Sequence, residues 1–169
     1  MHYLQKEFNR LVKYTEGLGV KVTMSPKDNK HMSAAWVIDG SEIIIFDSNN
    51  KGPLRKCLEI IHEISHHMAY IYNGRRGDLK TDTILAKDAA GGKLTKKQRK
   101  VIYDMEVSDS RFQKVIHKEV NSKIPLSRLE LEIEFDLWIY KYFYIHDKWP
   151  TGKIRGIKFK ELRSKYGLG

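Results

Sequence analysis

Apolar residues recur at helical spacing from Tyr3 to Leu18, through Leu4, Phe8, Leu11, Val12 and Tyr14 or Thr15. This predicts an amphipathic helix that Gly17 and Gly19 close. The pattern then switches to alternation. "VKVTMS" (Val20–Ser25) reads as a half-buried strand, and "AAWVID" (Ala34–Asp39) and "EIIIFD" (Glu42–Asp47) as two more. Gly40-Ser41 joins the last two as a hairpin turn. Pro26–Met32 reads as a loop. "SNNKGP" (Ser48–Pro53) carries helix-start chemistry, and the period from Pro53 to Tyr72 predicts a long helix that Asn73-Gly74 stops. Its stripe is Leu54, Cys57 or Leu58, Ile61, Ile64, Met68 and Ile71. Gly74–Lys93 has no sustained period and reads as a long loop or lid with a short element around Ile84–Ala86. A second long helix fits Thr95–Val120, with Val101, Ile102, Met105, Phe112, Val115 and Ile116 on its apolar side. Leu126–His146 contains the strand-like "ELEIEFD", yet the whole segment is too long for an ordinary strand and reads as a helix. Ile157–Tyr166 suits a last short helix. A helix, three strands and then helices predict an α+β fold, a small and mainly antiparallel sheet against a helical layer.

The length of 169 residues fits one domain, 1–169, with a basic C-terminal extension over about 147–169. The single cysteine, Cys57, excludes an internal disulfide framework and points to a reducing compartment. No stretch approaches the roughly 18 apolar residues of a membrane span. The charged, amphipathic start has no apolar signal core. The expectation is a soluble, cytoplasmic protein without a membrane partner.

The formal charge is +10. "KLTKKQRK" (Lys93–Lys100) carries five cations, and "KIRGIKFKELRSK" (Lys153–Lys165) six against Glu161. Such clusters fit a nucleic-acid or acidic protein partner, or a solvated basic face.

The chemistry concentrates in "IIHEISHHMAY" (Ile60–Tyr70), where His62, Glu63 and His66 spell H-E-x-x-H. Four helical residues turn about 400°, so His62 and His66 share one face about 6 Å apart along the axis. Two imidazoles so placed reach one zinc ion. Glu63 borders the same cleft about 100° round and is placed to act as a base on a metal-activated water without being a ligand. His67 leaves that face and reads as a packing residue or a support for the ligands. Cys57 lies nearly opposite and reads as a small buried hydrophobe. His2, His31, His117 and His146 carry no spacing signal.

Catalytic zinc takes three protein ligands and keeps one position open. Glu106, within "YDMEVSDSRF" on the next long helix, is the simplest third ligand, with Asp109 one turn on to orient a histidine. Glu132 in "ELEIEFD" is the competitor, and Asp104 and Asp109 are lesser candidates.

"EIIIFDSNNKGPLRKCLEIIHEISHHMAYIY", followed by a helix bearing "EVSDSRF", resembles the zincin metallopeptidases of the ImmA/IrrE-like group over about Tyr3–Val120. The resemblance implies a zincin-like fold with a small sheet, an active-site helix carrying H-E-x-x-H, and a later helix that supplies a glutamate. The downstream family pattern, E-x-E-A-[ND]-x-F-A, is matched loosely by "EVSDSRF" and echoed by "EIEFDLW" (Glu132–Trp138). Small lysine-rich versions resemble proteins of bacteriophages and mobile elements, and relatives act on transcriptional regulators. Two functions follow as expectations. One is a zinc metallopeptidase in which His62, His66 and Glu106 hold Zn2+, Glu63 is the general base, and a peptide lies extended along the "EIIIFD" edge. The other is a zincin-fold module that binds a protein or nucleic acid through the basic clusters.

Overall fold

The computed structural model describes residues 2–26, 34–37, 40–46, 52–72 and 79–168. The chain divides into two compact units, Met1–Arg75 with Asp109–Ile124, and Arg76–Ser108 with Pro125–Gly169.

The first unit opens with α1 (His2–Gly17). Its buried side is Phe8, Leu11 and Thr15. The Thr15 hydroxyl donates back to the Leu11 carbonyl at 2.8 Å, so a polar residue enters the core without an unmet donor. Three strands follow, β1 (Lys21–Ser25), β2 (Ala34–Trp36) and β3 (Glu42–Phe46), in the spatial order β1-β3-β2. The helix α2 (Pro53–Tyr72) packs against β2, β3 and α1. Ile43 and Ile45 of β3 are fully buried, as are Cys57, Ile60, Ile61, Ile64 and Ala69 of α2. These side chains are the core on which the histidine-bearing helix is seated. Ile71, expected on that stripe, is 53 % exposed, so the seat ends at Ala69.

The α+β architecture agrees with the sequence reading, but the sheet is mixed rather than mainly antiparallel. β2 runs antiparallel to β3, with Ala34 opposite Ile45 and Trp36 opposite Ile43. β1 runs parallel to β3, with Val22 opposite Ile43 and Met24 opposite Ile45. Alternation in a sequence reports which face is buried and says nothing of strand direction. Gly40, at φ +78°, makes the left-handed turn between β2 and β3. Because β3 is central, "EIIIFD" has no open edge for an added strand; the outer edges belong to β1 and β2.

The C-terminal half of α4 (Lys96–Glu119) completes this unit. It is tied to α1 by polar contacts. Tyr14 donates its hydroxyl to Glu119. Arg10 donates to the Asn121 carbonyl at 2.9 Å. Buried Glu7 accepts from Ser122 at 2.6 Å, from Arg10 at 2.6 Å and from the Lys123 amide at 3.2 Å. Burial alone would raise the Glu7 pKa, but these donors hold the carboxyl below its ordinary value. Both ends of this stretch of α4 are thereby fixed, by α1 on one side and by the contacts to α2 described below.

The second unit contains α3 (Leu79–Ala89), the N-terminal half of α4, α5 (Leu126–His146) and α6 (Gly152–Lys165). The short element expected around Ile84–Ala86 is present and longer than expected, since α3 runs over Leu79–Ala89. Ile84 of α3 packs with Leu94, Ile102 and Phe143, and Leu85, Val101 and Tyr140 cover the cluster. Arg99 is buried and donates to the Leu94 carbonyl at 2.8 Å and to Asp147 at 2.6 Å. "ELEIEFD" (Glu130–Asp136) is helical throughout, with Leu131 and Glu132 buried. α6 begins five residues before the expected Ile157, because Thr151 caps it by accepting from the Ile154 amide. Among the described residues no helix is long and apolar enough to cross a membrane. The loops expected over 27–32 and 48–51 and the Asn73-Gly74 stop lie outside the described residues.

Candidate metal centre

Four residues on a well-seated helix bring two imidazoles together. The Nε2 atoms of His62 and His66 are 3.1 Å apart, and the rings stand edge to face at 4.7 Å between centroids. Glu106 of α4 joins them: the three residues offer ligand atoms that all lie within 4.8 Å of one another. Two nitrogens bound to one tetrahedral zinc at 2.0–2.1 Å would stand roughly 3.3 Å apart, so the observed spacing fits a shared ion with little movement. Two imidazoles and one carboxylate form the donor set that leaves a fourth position for water.

α4 supplies the rest of the surroundings from one face. Asp109 is fully buried and accepts from His66 Nδ1 at 2.8 Å. Gln113 is also buried, and its Nε2 lies 3.2 Å from His62 Nδ1. Glu106, Asp109 and Gln113 stand at i, i+3 and i+7, a spacing that places them on one side of a helix. Asp109 is legible in the sequence as an orienting residue. The sequence reading misses Gln113, although this spacing is available to point to it.

Glu63 is not part of the ligand group. It is 8 % exposed, and its Oε2 accepts from the backbone amide of Trp36 at 2.8 Å. That amide points away from β3, because the next one, of Val37, donates to Glu42 of β3. The outer edge of β2 therefore faces the Glu63 carboxylate.

The other sequence candidates are not members of this group. Glu132 is buried on α5, where it pairs with Arg128 at 2.7 Å. Asp104 pairs with Lys100 on the exposed side of α4 at 2.6 Å. His117 donates to the Ile124 carbonyl at 2.8 Å. His67 is buried beside the Trp36 ring, and among the described residues neither of its ring nitrogens has a hydrogen-bond partner. Burial lowers its pKa, so the ring packs as a neutral body. Cys57 is fully buried, and burial pushes its thiol up to about 12, so it stays protonated.

Burial, and then the neighbouring His66, lowers the pKa of His62 to about 4. The unfolded value is about 6.5. Without metal the folded chain keeps this ring neutral while the unfolded chain protonates it. Stability is therefore full above pH ~6.5 and falls by up to about 3 kcal/mol as pH drops towards 4. Urea midpoints of the metal-free chain at pH 7 and pH 4.5 should show this loss, and His62→Ala should flatten it. An equal acid dependence in both chains would exclude His62 as its source.

Comparison of the chain with protein-family models, with curated proteins and with solved structures finds no match.

Proposed function

We propose that this chain is a zinc-dependent metallopeptidase. The observation that carries the proposal is the convergence of His62, His66 and Glu106 beside a carboxylate, Glu63, that is outside the ligand group. A bound zinc ion would supply Lewis acidity to a water and to a peptide carbonyl. Glu63 takes the water's proton as it attacks and delivers it to the leaving amine. Asp109 and Gln113 hold the two imidazoles at their far nitrogens. A protein or peptide substrate lies beside Glu63, with its scissile carbonyl towards the paired histidines, and does not pair with β2, whose outward Trp36 amide Glu63 already occupies. The likeness of "HEISH" and its surroundings to ImmA/IrrE-like zincins supports the same reading.

A second reading has its own support in α6. Lys153, Lys160 and Arg163 are exposed on one side of this helix, and no anionic partner stands against them among the described residues. Gly156 sits among them with open space beside it. That surface suits the phosphate backbone of a nucleic acid.

The readings part on one set of variants. Metal analysis should find one zinc per chain in the wild type, none in His66→Ala, and one in His67→Leu. Cleavage of a quenched peptide library should follow the zinc. If His66→Ala keeps its zinc, the metallopeptidase reading is wrong. If it loses zinc while salt-sensitive binding of a DNA duplex persists, the α6 surface works independently of the metal.

A further inference from the structure

α5 leaves a row of aromatic rings partly open to solvent. Phe135, Trp138, Tyr142 and His146 stand at i, i+3, i+7 and i+11, a spacing that draws them into one stripe along the helix. Each ring touches the next. Phe135 stacks on Trp138 at 6.1 Å between centroids, Trp138 meets Tyr142 at 5.6 Å, and Tyr142 meets His146 at 4.2 Å. One end of the row is anchored on α6. Phe135 meets Phe159 edge to face at 5.1 Å, and the Arg128 guanidinium lies over the Phe159 ring. From that anchor the row opens outward: Phe135, Trp138 and Tyr142 are half-buried, and His146 is exposed.

Cations flank the stripe along the chain. Lys141 precedes Tyr142 by one residue, Lys148 follows His146 by two, and both are exposed. Lys160 follows Phe159 and shares the exposed side of α6 with Lys153 and Arg163. Among the described residues no anionic partner stands against these cations. Carboxylates of the same helices are occupied elsewhere. Glu134 pairs with Lys165 at 2.5 Å and accepts from Tyr166 at 2.9 Å, Asp147 pairs with Arg99 at 2.6 Å, and Glu161 with Lys158 at 2.6 Å.

We propose that the second unit binds single-stranded nucleic acid, with bases stacked on Trp138, Tyr142 and His146 and phosphates held by Lys141, Lys148, Lys153 and Lys160. A single strand alternates flat apolar faces with negative charge, which is the complement of rings among cations. A duplex offers phosphates and groove edges instead, because its bases are already stacked on one another. A second copy of this chain would set +10 against +10. A lipid surface is met by a helix with one apolar and one charged face, whereas half-buried apolar residues run all round α5. Every base has a face to stack, so sequence preference is low. The inference rests on the nucleic-acid reading of α6 and names the form of nucleic acid taken. It is independent of the metal centre.

The test uses the full chain and labelled oligonucleotides of about 12 nucleotides: a DNA strand, an RNA strand of the same mixed sequence, and the DNA duplex. Anisotropy titrations should show a single strand bound more tightly than the duplex, and comparison of the two strands identifies DNA or RNA as the better ligand. Binding should weaken steeply as salt rises from about 50 to 200 mM. Trp138→Ala should weaken single-strand binding about 5- to 150-fold and leave duplex binding unchanged. Tyr142→Leu serves as a second variant with the same expected direction, and thermal unfolding of each confirms that it is folded. Lys160→Glu should weaken single strand and duplex alike. A duplex bound as tightly as either strand, with no loss in folded Trp138→Ala and Tyr142→Leu, overturns the stacking site and leaves the basic side of α6 standing. No salt-sensitive binding of any oligonucleotide overturns both. Binding to vesicles of phosphatidylserine and phosphatidylcholine without binding of oligonucleotide overturns the proposal in favour of a lipid surface. A dimer in sedimentation that Trp138→Ala dissolves, again without oligonucleotide binding, overturns it in favour of a second copy.

Discussion

Glu63→Gln should leave zinc content unchanged and lower peptide cleavage by about 10²–10⁴-fold. The substitution keeps the size of the side chain and removes its basicity. Glu63 is not among the residues whose ligand atoms converge, so the metal has no reason to leave. The position should also hold, because the carbonyl oxygen of the substituted side-chain amide can accept from the Trp36 amide as the carboxylate does at 2.8 Å. Under the proposed mechanism, what disappears is the group that removes a proton from water as it attacks. Zinc stoichiometry and initial cleavage rates on the same preparation check the pair of outcomes. Full activity in Glu63→Gln would rule out this carboxylate as the base, and loss of zinc would make it part of the metal site instead.

The second large effect concerns the two glutamates that compete for the third position. Glu106→Ala should abolish stoichiometric zinc, because it removes the only carboxylate in the converging group. Glu132→Ala should keep zinc and lose stability. Glu132 is 3 % exposed and paired with Arg128 at 2.7 Å, so its removal leaves a half-buried guanidinium without that partner. A cost of about 1–3 kcal/mol is expected, read as a lower urea midpoint. The two variants should thus exchange phenotypes, one losing metal and the other stability. Zinc lost from Glu132→Ala and kept in Glu106→Ala would reverse the assignment.

The parts of the site that are legible in the sequence are those where spacing is itself geometry. His62 and His66 stand one helical turn apart, and the isoleucines and methionine around them predict the helix that makes this spacing meaningful. Glu106 follows from chain order, since the next long helix is the simplest neighbour. Gln113 carries no charge and has the composition of a surface residue, so only its register with Glu106 and Asp109 marks it. The direction of β1 is illegible for another reason. Parallel pairing depends on how the chain returns between β1 and β3, and an alternating pattern is the same either way. Only a short element around Ile84–Ala86 is legible of α3 in the sequence, because its own apolar content is small. Ile84 and Leu85 gain their role from Leu94, Ile102 and Phe143, which lie elsewhere in the chain.

The bond between Glu63 and Trp36 has a consequence beyond catalysis. β2 is a three-residue strand at the margin of its sheet, and such margins invite strands from other molecules. Here the outward amide of Trp36 is already occupied by a buried carboxylate. Another copy of the chain that tried to pair along this edge would displace that carboxylate and bring its own backbone carbonyl towards it. The residue assigned to chemistry thereby also guards the sheet against self-association. Removing the side chain altogether, as in Glu63→Ala, should expose a free amide there and raise the tendency to form dimers or larger aggregates. A preparation made inert for structural work is for this reason better built on glutamine than on alanine.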